Sequence, residues 1–289
     1  MLKALLKTMR PRQWTKNVFV LAALVFDQKL KDPEALLRSL AGFALFCLLS
    51  STVYIINDIM DVEADRKHPT KCKRPIASGK LPIPVALGAA ALILALTFLA
   101  AYFLSIDFLI VAALYFLINL AYSTWLKHIP LVDVLILAAG FVLRVAAGVS
   151  LIEVQRFSPW LYVCTTLLAL FMGFGKRRAE LALVAGSSGT RKVLDGYTIP
   201  FLDQLILIVA STTIIAYSLY TFLAENAPPN HSMMLTIPFV VYAIFRYLYL
   251  IHVKQQGGAP EELVLTDRPL QVSFLLWGIA VVTFFYLLR

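Results

Sequence analysis

The stretch NDIMDVEADRKHPTKCKRP, residues 57–75, sets aspartates at a helical spacing and follows them with a dense run of bases. If the apolar run before it continues as a helix, Asp58, Asp61 and Asp65 fall at i, i+3 and i+7, on one stripe. Asn57 borders that stripe, while Glu63 points away from it. Carboxylates held within roughly 6 Å of one another repel unless a cation lies between them. Mg2+ suits such a place, because it takes one or two carboxylates together with water and phosphate oxygens. Asp58, Asp61 and Asp65 are therefore candidate metal ligands, and Asn57 a residue that orients a ligand or water. Arg66, Lys67, Lys71, Lys73 and Arg74 follow as candidate phosphate contacts, after His68-Pro69 stops the helix. The bland alternative is a solvated loop whose bases only fix topology.

A second charged helix end, MGFGKRRAEL, carries Lys176, Arg177 and Glu180. The spacing pairs Lys176 with Glu180 at i, i+4; alternatively, these bases simply snorkel to the interface. At the N-terminus RPRQWTKN offers Arg10, Arg12, Lys16 and Asn17 beside Trp14, either as substrate contacts or as an interfacial anchor. AYSTWLKHIPLVD adds Tyr122, Lys127 and Asp133. Arg144 lies mid-span, where a charge is costly and faces a cavity or a partner; Asp133, eleven positions earlier, is a candidate partner. Tyr197 in GYTIPFLD and Asp267 and Arg268 in EELVLTDRP complete the candidate substrate contacts. Cys47, Cys72 and Cys164 show no paired spacing, and the histidines show no ligand spacing.

These residues sit in a chain of 289 residues that is 60% hydrophobic and only 15% charged. Its mean hydropathy is +0.79. A soluble domain of this length carries about 25% charged residues, so the apolar excess needs lipid as solvent. Apolar runs of about 20 residues cross a bilayer. About nine are legible, near 17–30, 35–58, 84–104, 107–123, 131–151, 158–176, 201–223, 233–252 and 270–288. An open sheet cannot sit in lipid, so the expectation is an all-α integral membrane protein, one polytopic domain over residues 1–289. Most of the 26 Lys and Arg fall in alternate connections, which places the N-terminus in the cytoplasm and the C-terminus outside. That asymmetry accounts for most of the net charge of +9 without nucleic acid as a partner. The long charged connections, 59–83 and 177–200, lie on the cytoplasmic side, where any chemistry belongs.

NDIMDVEADRKHP resembles the first aspartate-rich motif, NDxxDxxxD, of the UbiA superfamily of intramembrane prenyltransferases. YSTWLK, the aspartate that follows it and FVLRVAAG match the middle of that family. The resemblance implies a nine-helix bundle around a cavity open to lipid, with Mg2+ and a diphosphate bound near the cytoplasmic side. Ordinary members carry a second acidic motif, DxxxD; the corresponding stretch here is the basic GKRRAEL, and Asp203 alone does not restore it. RPRQWTKNV, DVEADRKHPTKCKRPIASG, GKRRAEL and DRPLQ resemble the branch that moves phosphoribose from phosphoribosyl diphosphate onto a polyprenyl phosphate in arabinogalactan synthesis. The resemblance thus implies a Mg2+-dependent plasma-membrane transferase, with Asp58, Asp61, Lys176 and Arg177 at the reacting groups. Three phosphate-bearing groups need more fixed cations than one diphosphate and a neutral phenol, and Arg suits bidentate phosphate contact. The alternatives are prenyl transfer to an aromatic acceptor and a lipid-binding or transport protein. Homo-oligomerisation is left open.

Overall fold

The computed structural model describes all residues except 69, 154–157, 185–191, 257–259 and 288–289. Among the described residues every regular element is helical. The chain opens with α1 (Leu2–Thr8), a 3-10 stretch (Pro11–Leu21) and a short α2 (Ala22–Phe26). α3 (Pro33–Met60) and α4 (Val62–Lys67) follow, then α5 (Ile83–Leu104), α6 (Ile106–Thr124) and α7 (Val132–Val149). α8 (Pro159–Val184), α9 (Ile199–Leu223), α10 (Ile237–His252), α11 (Pro260–Thr266) and α12 (Arg268–Tyr286) complete it.

Local chemistry sets these boundaries. Asp32 caps α3 by accepting the amides of Glu34 and Ala35 at 3.1 and 3.2 Å, with Pro33 just inside the helix. Ser105 is extended, and its hydroxyl accepts the Phe108 amide at 3.3 Å, so α5 ends and α6 begins across one residue. Thr198 and Asp267 cap α9 and α12 in the same way.

Among the described residues, seven helices are long and apolar enough to span a bilayer: α3, α5, α6, α7, α9, α10 with the turn before it, and α12. α8 is 26 residues long, but Lys176, Arg177, Arg178 and Glu180 occupy its final third. The run expected near 17–30 is no single helix, but the end of the 3-10 stretch, α2 and a turn. A 3-10 segment of 11 residues is unusual, because its hydrogen-bond geometry is poorer than that of an α-helix.

Contacts divide the chain into two compact units. The first comprises residues 1–24, 29–126 and 143–153. Its core packs Phe46 against Phe108 and Tyr115, with ring centroids 5.7 and 5.2 Å apart, and adds Val20, Leu49, Ala147 and Leu151. A smaller cluster sets Met9 on Ile55, Ile76 and Leu81, which ties the N-terminal segment to α3. The second unit comprises 25–28, 127–142 and 154–289. There α8, α9 and α10 bury Phe171, Leu202, Ile206, Ile244 and Tyr247, with the Phe171 and Tyr247 rings edge to face at 5.1 Å.

Gly148 shows how tightly the first unit closes. A Cβ there would strike the Val20 backbone carbonyl, which cannot swing aside as a side chain would. Gly88 on α5 has open space where its Cβ would stand. Gly148→Ala is therefore expected to lose about 1–3 kcal/mol through overpacking. Gly88→Ala is expected to gain about 0.5–1 kcal/mol from helix propensity. Thermal unfolding in detergent checks both, and shifts of the same sign would contradict the close approach.

Candidate active site

Asp58 lies in the last turn of α3 with only 2% of its side chain exposed. Arg10 Nη2 donates to its Oδ1 at 2.5 Å, and Arg74 Nη1 donates to the same oxygen at 3.2 Å. Arg74 Nη1 also donates to Asp65 Oδ2 at 2.6 Å. One guanidinium therefore joins both buried carboxylates. The helix itself breaks at Asp61, which ends α3 and starts α4. The repeat survives the break, because Asp61 N bonds Asn57 O at 2.9 Å and Asp65 N bonds Asp61 O at 2.8 Å.

The segment after α1 delivers Arg10. Its backbone is left-handed, φ 53° and ψ 62°, a strained place for a residue other than glycine, and Pro11 follows. The guanidinium lies over the Tyr54 ring, 4.8 Å from the centroid, in cation–π contact. Tyr54 precedes Asp58 by four residues on the same stripe, a spacing that would have revealed it in the sequence. Asn57 and Asp61 are half-buried, and Lys71 and Lys73 are exposed on a 3-10 turn beside Arg74. Arg66 is exposed and pairs with Glu63 at 2.7 Å. Arg12 is exposed and Lys16 half-buried.

Asn17 and Arg144 form a separate buried network. Asn17 accepts Arg144 Nε at 2.8 Å and donates to Ser50 Oγ at 3.1 Å and Cys47 Sγ at 3.3 Å. Arg144 Nη2 donates to Tyr115 Oη at 2.8 Å, with the guanidinium over the same ring. The candidate pairing of Arg144 with Asp133 does not describe this site: three turns of helix separate the two residues, and Arg144 is held by Asn17 and Tyr115. Tyr115 gives no spacing signal that would mark it in the sequence.

In the second unit Asp133 is fully buried. Its Oδ2 accepts Arg177 Nε at 2.5 Å and its Oδ1 accepts the Tyr197 hydroxyl at 2.7 Å. Tyr197 Oη in turn accepts the Leu131 amide at 2.6 Å. Leu131 is left-handed at φ 68°, so this amide is fixed where the chain turns into α7. Burial, then the Asp133 hydrogen bond, pushes the Tyr197 hydroxyl well above its ordinary value, so it remains a donor. Arg177 is 1% exposed and also donates to Glu180 Oε2 at 2.5 Å, an i, i+3 pairing. Arg177 is thus enclosed between two carboxylates, while Lys176 beside it is half-buried.

Arg178, which no sequence pattern singles out, donates to Asp203 Oδ1 at 2.5 Å. Asp267 caps α12 and receives two bonds from Arg246, at 3.2 and 2.8 Å. The Arg246 hydrogen bond is the main reason its carboxyl lies below the usual carboxylate range. Arg268 is exposed and lines a cavity of about 460 Å³ with Phe239, Tyr242 and Leu276. Tyr122 and Lys127 are half-buried.

Among the described residues, no three His, Cys, Asp or Glu side chains lie close enough to hold a metal unaided. Asp58 and Asp65 nevertheless converge on a single cationic group. Two converging carboxylates are the protein's share of a donor set that Mg2+ completes with water and phosphate oxygens.

Removing one partner of a buried ion pair leaves an uncompensated charge and costs about 3–5 kcal/mol, against at most about 1 for an exposed pair. Asp133→Ala is therefore expected to lower unfolding stability in detergent far more than Glu63→Ala. Equal losses would contradict the anchoring role of Asp133.

The UbiA prenyltransferase family model matches residues 17–179. A decaprenyl-phosphate phosphoribosyltransferase from Mycolicibacterium smegmatis is 36% identical over 96% of this chain and 91% of its own length. One of the same name from Corynebacterium glutamicum is 35% identical over 98% of this chain and 87% of its own. A solved UbiA homolog from Archaeoglobus fulgidus, bound to DMAPP and Mg2+, superposes with a TM-score of 0.73 at 18% identity, over 98% of this chain and 99% of that one. The same homolog bound to GPP and Mg2+ gives 0.73 at 19%, over 97% and 99%. Near-full-length relatedness, the family match and the shared helical fold agree: the chain belongs to the UbiA prenyltransferase family.

Proposed function

We propose that this protein transfers 5-phosphoribose from phosphoribosyl diphosphate to a polyprenyl phosphate and releases diphosphate. The observation that carries the reading is the near-full-length match, at 35–36% identity, to relatives named for phosphoribosyl transfer to decaprenyl phosphate. The basic GKRRAEL segment of α8 supports it, standing where a second acidic motif would serve a prenyl diphosphate.

In this reading the bond from the ribose anomeric carbon to the diphosphate oxygen breaks, and the diphosphate leaves with the electron pair. An oxygen of the polyprenyl phosphate forms the new bond to that carbon. The attacking phosphate is already ionised, so no strong general base is required. Asp58 and Asp65, with Asp61 between them in sequence, hold Mg2+. When bound, it supplies Lewis-acid stabilisation of the departing diphosphate. Arg74, Arg10, Lys71 and Lys73 bind donor phosphate oxygens, the arginines through paired N–H groups. Lys176 supplies a cation for a substrate phosphate in the second unit. Arg177, Tyr197 and Glu180 serve as anchors, because their polar groups are spent on Asp133 and on one another. Charge asymmetry between connections supports a plasma-membrane protein with its N-terminus and acidic motif in the cytoplasm.

The test is a paired incubation of purified protein with Mg2+. One tube holds labelled phosphoribosyl diphosphate and a polyprenyl phosphate, the other a prenyl diphosphate and 4-hydroxybenzoate. Label is expected in the lipid phase of the first tube, abolished by chelator and reduced at least about a thousandfold by Asp58→Asn, a loss of some 4 kcal/mol in barrier lowering. A prenylated aromatic in the second tube, with no labelled lipid in the first, would refute the reading.

A further inference from the structure

The carboxylates read as the metal site already have cations of their own. Arg74 bridges Asp58 and Asp65 at 3.2 and 2.6 Å, and Arg10 reaches Asp58 at 2.5 Å. The carboxylate side chains are 2% and 4% exposed, so they cannot turn to water for compensation. The arginine side chains are 26% and 28% exposed, so each is partly open to solvent where its carboxylate is not. A bare divalent ion approaching Asp58 and Asp65 meets two guanidinium groups at its intended place, and like charges there oppose it.

We infer that Arg74 and Arg10 are resident counter-cations, so that this site accepts a divalent metal only together with a diphosphate. The inference rests on the assignment of Asp58 and Asp65 to the metal–diphosphate site and specifies the ligand that site takes. When metal and diphosphate arrive together, the guanidinium groups exchange carboxylate oxygens for phosphate oxygens, and the metal takes the carboxylates. Every charge then keeps an opposite neighbour. When the metal arrives alone, the displaced arginines have no anion to move to. Arg10 is suited to such a move: its stem turns at the left-handed residue, beside Pro11, and its guanidinium is backed by the Tyr54 ring. Arg74 is an extended residue that closes a three-residue 3-10 turn, next to the exposed Lys71 and Lys73.

Equilibrium dialysis of radioactive Mn2+ against the purified full chain in detergent tests this, with and without inorganic pyrophosphate. The native protein is expected to bind bare Mn2+ at least tenfold more weakly than Arg74→Gln, and to gain at least tenfold when pyrophosphate is added. Arg74→Lys keeps the charge and is expected to stay weak for bare metal. Asp58→Asn is expected to bind no metal in either arm. In thermal unfolding, Mn2+ alone is expected to raise the melting temperature of Arg74→Gln more than that of the native protein. Arg10→Gln provides the same comparison if Arg74→Gln does not fold. Bare-metal affinity equal in native protein and Arg74→Gln, or equal in Arg74→Lys and Arg74→Gln, would overturn the inference. No metal bound to native protein even with pyrophosphate would instead refute the metal–diphosphate assignment, an outcome read in a separate arm.

Discussion

A carboxylate buried at the end of an apolar helix must be met by a cation, because lipid and packed side chains offer it no water. Asp58 sits in that position, and the arrangement around it follows from the need. α1 and the left-handed Arg10 bring one guanidinium from the N-terminus. The turn after α4 brings Arg74, which satisfies Asp65 as well. The same constraint organises the second unit around Asp133, which draws Arg177 and Tyr197 onto its two oxygens and so fixes the start of α7 against α8.

The two sites differ in what they leave over. Arg177 is enclosed, with both Asp133 and Glu180 upon it, and behaves as part of the frame. Arg10 and Arg74 are partly exposed, and Lys71 and Lys73 adjoin Arg74 along the chain, so this charge is not sealed from solvent as that of Arg177 is. Sequence marks all of these residues alike as bases near acids. Only their burial separates the cations that hold the helices from those proposed to meet a substrate.

Much of the architecture is legible in the amino-acid sequence because lipid imposes long apolar runs, and helical spacing by itself puts Asp58 and Asp65 on one side. The first run misleads because apolarity alone does not decide between an α-helix and a 3-10 stretch started by Pro11. The partners are hidden for a different reason. Arg10 is 48 residues from Asp58, and Arg144 is 127 residues from Asn17, so no local spacing relates them. Asp133 stands out as an acid, but its place on the same run as Arg144 suggests the wrong partner, since order along one helix says nothing of a cation arriving from another. Asn17 and Asp267 also hold Arg144 and cap α12, roles that no local spacing announces.

The central claim is that the buried acids at the end of α3 bind the donor through metal and diphosphate. Equilibrium binding of labelled phosphoribosyl diphosphate to the purified protein tests it most directly. The account predicts saturable binding that requires Mg2+ and disappears in Asp58→Asn. Binding of undiminished affinity in the presence of chelator, or in Asp58→Asn, would contradict it.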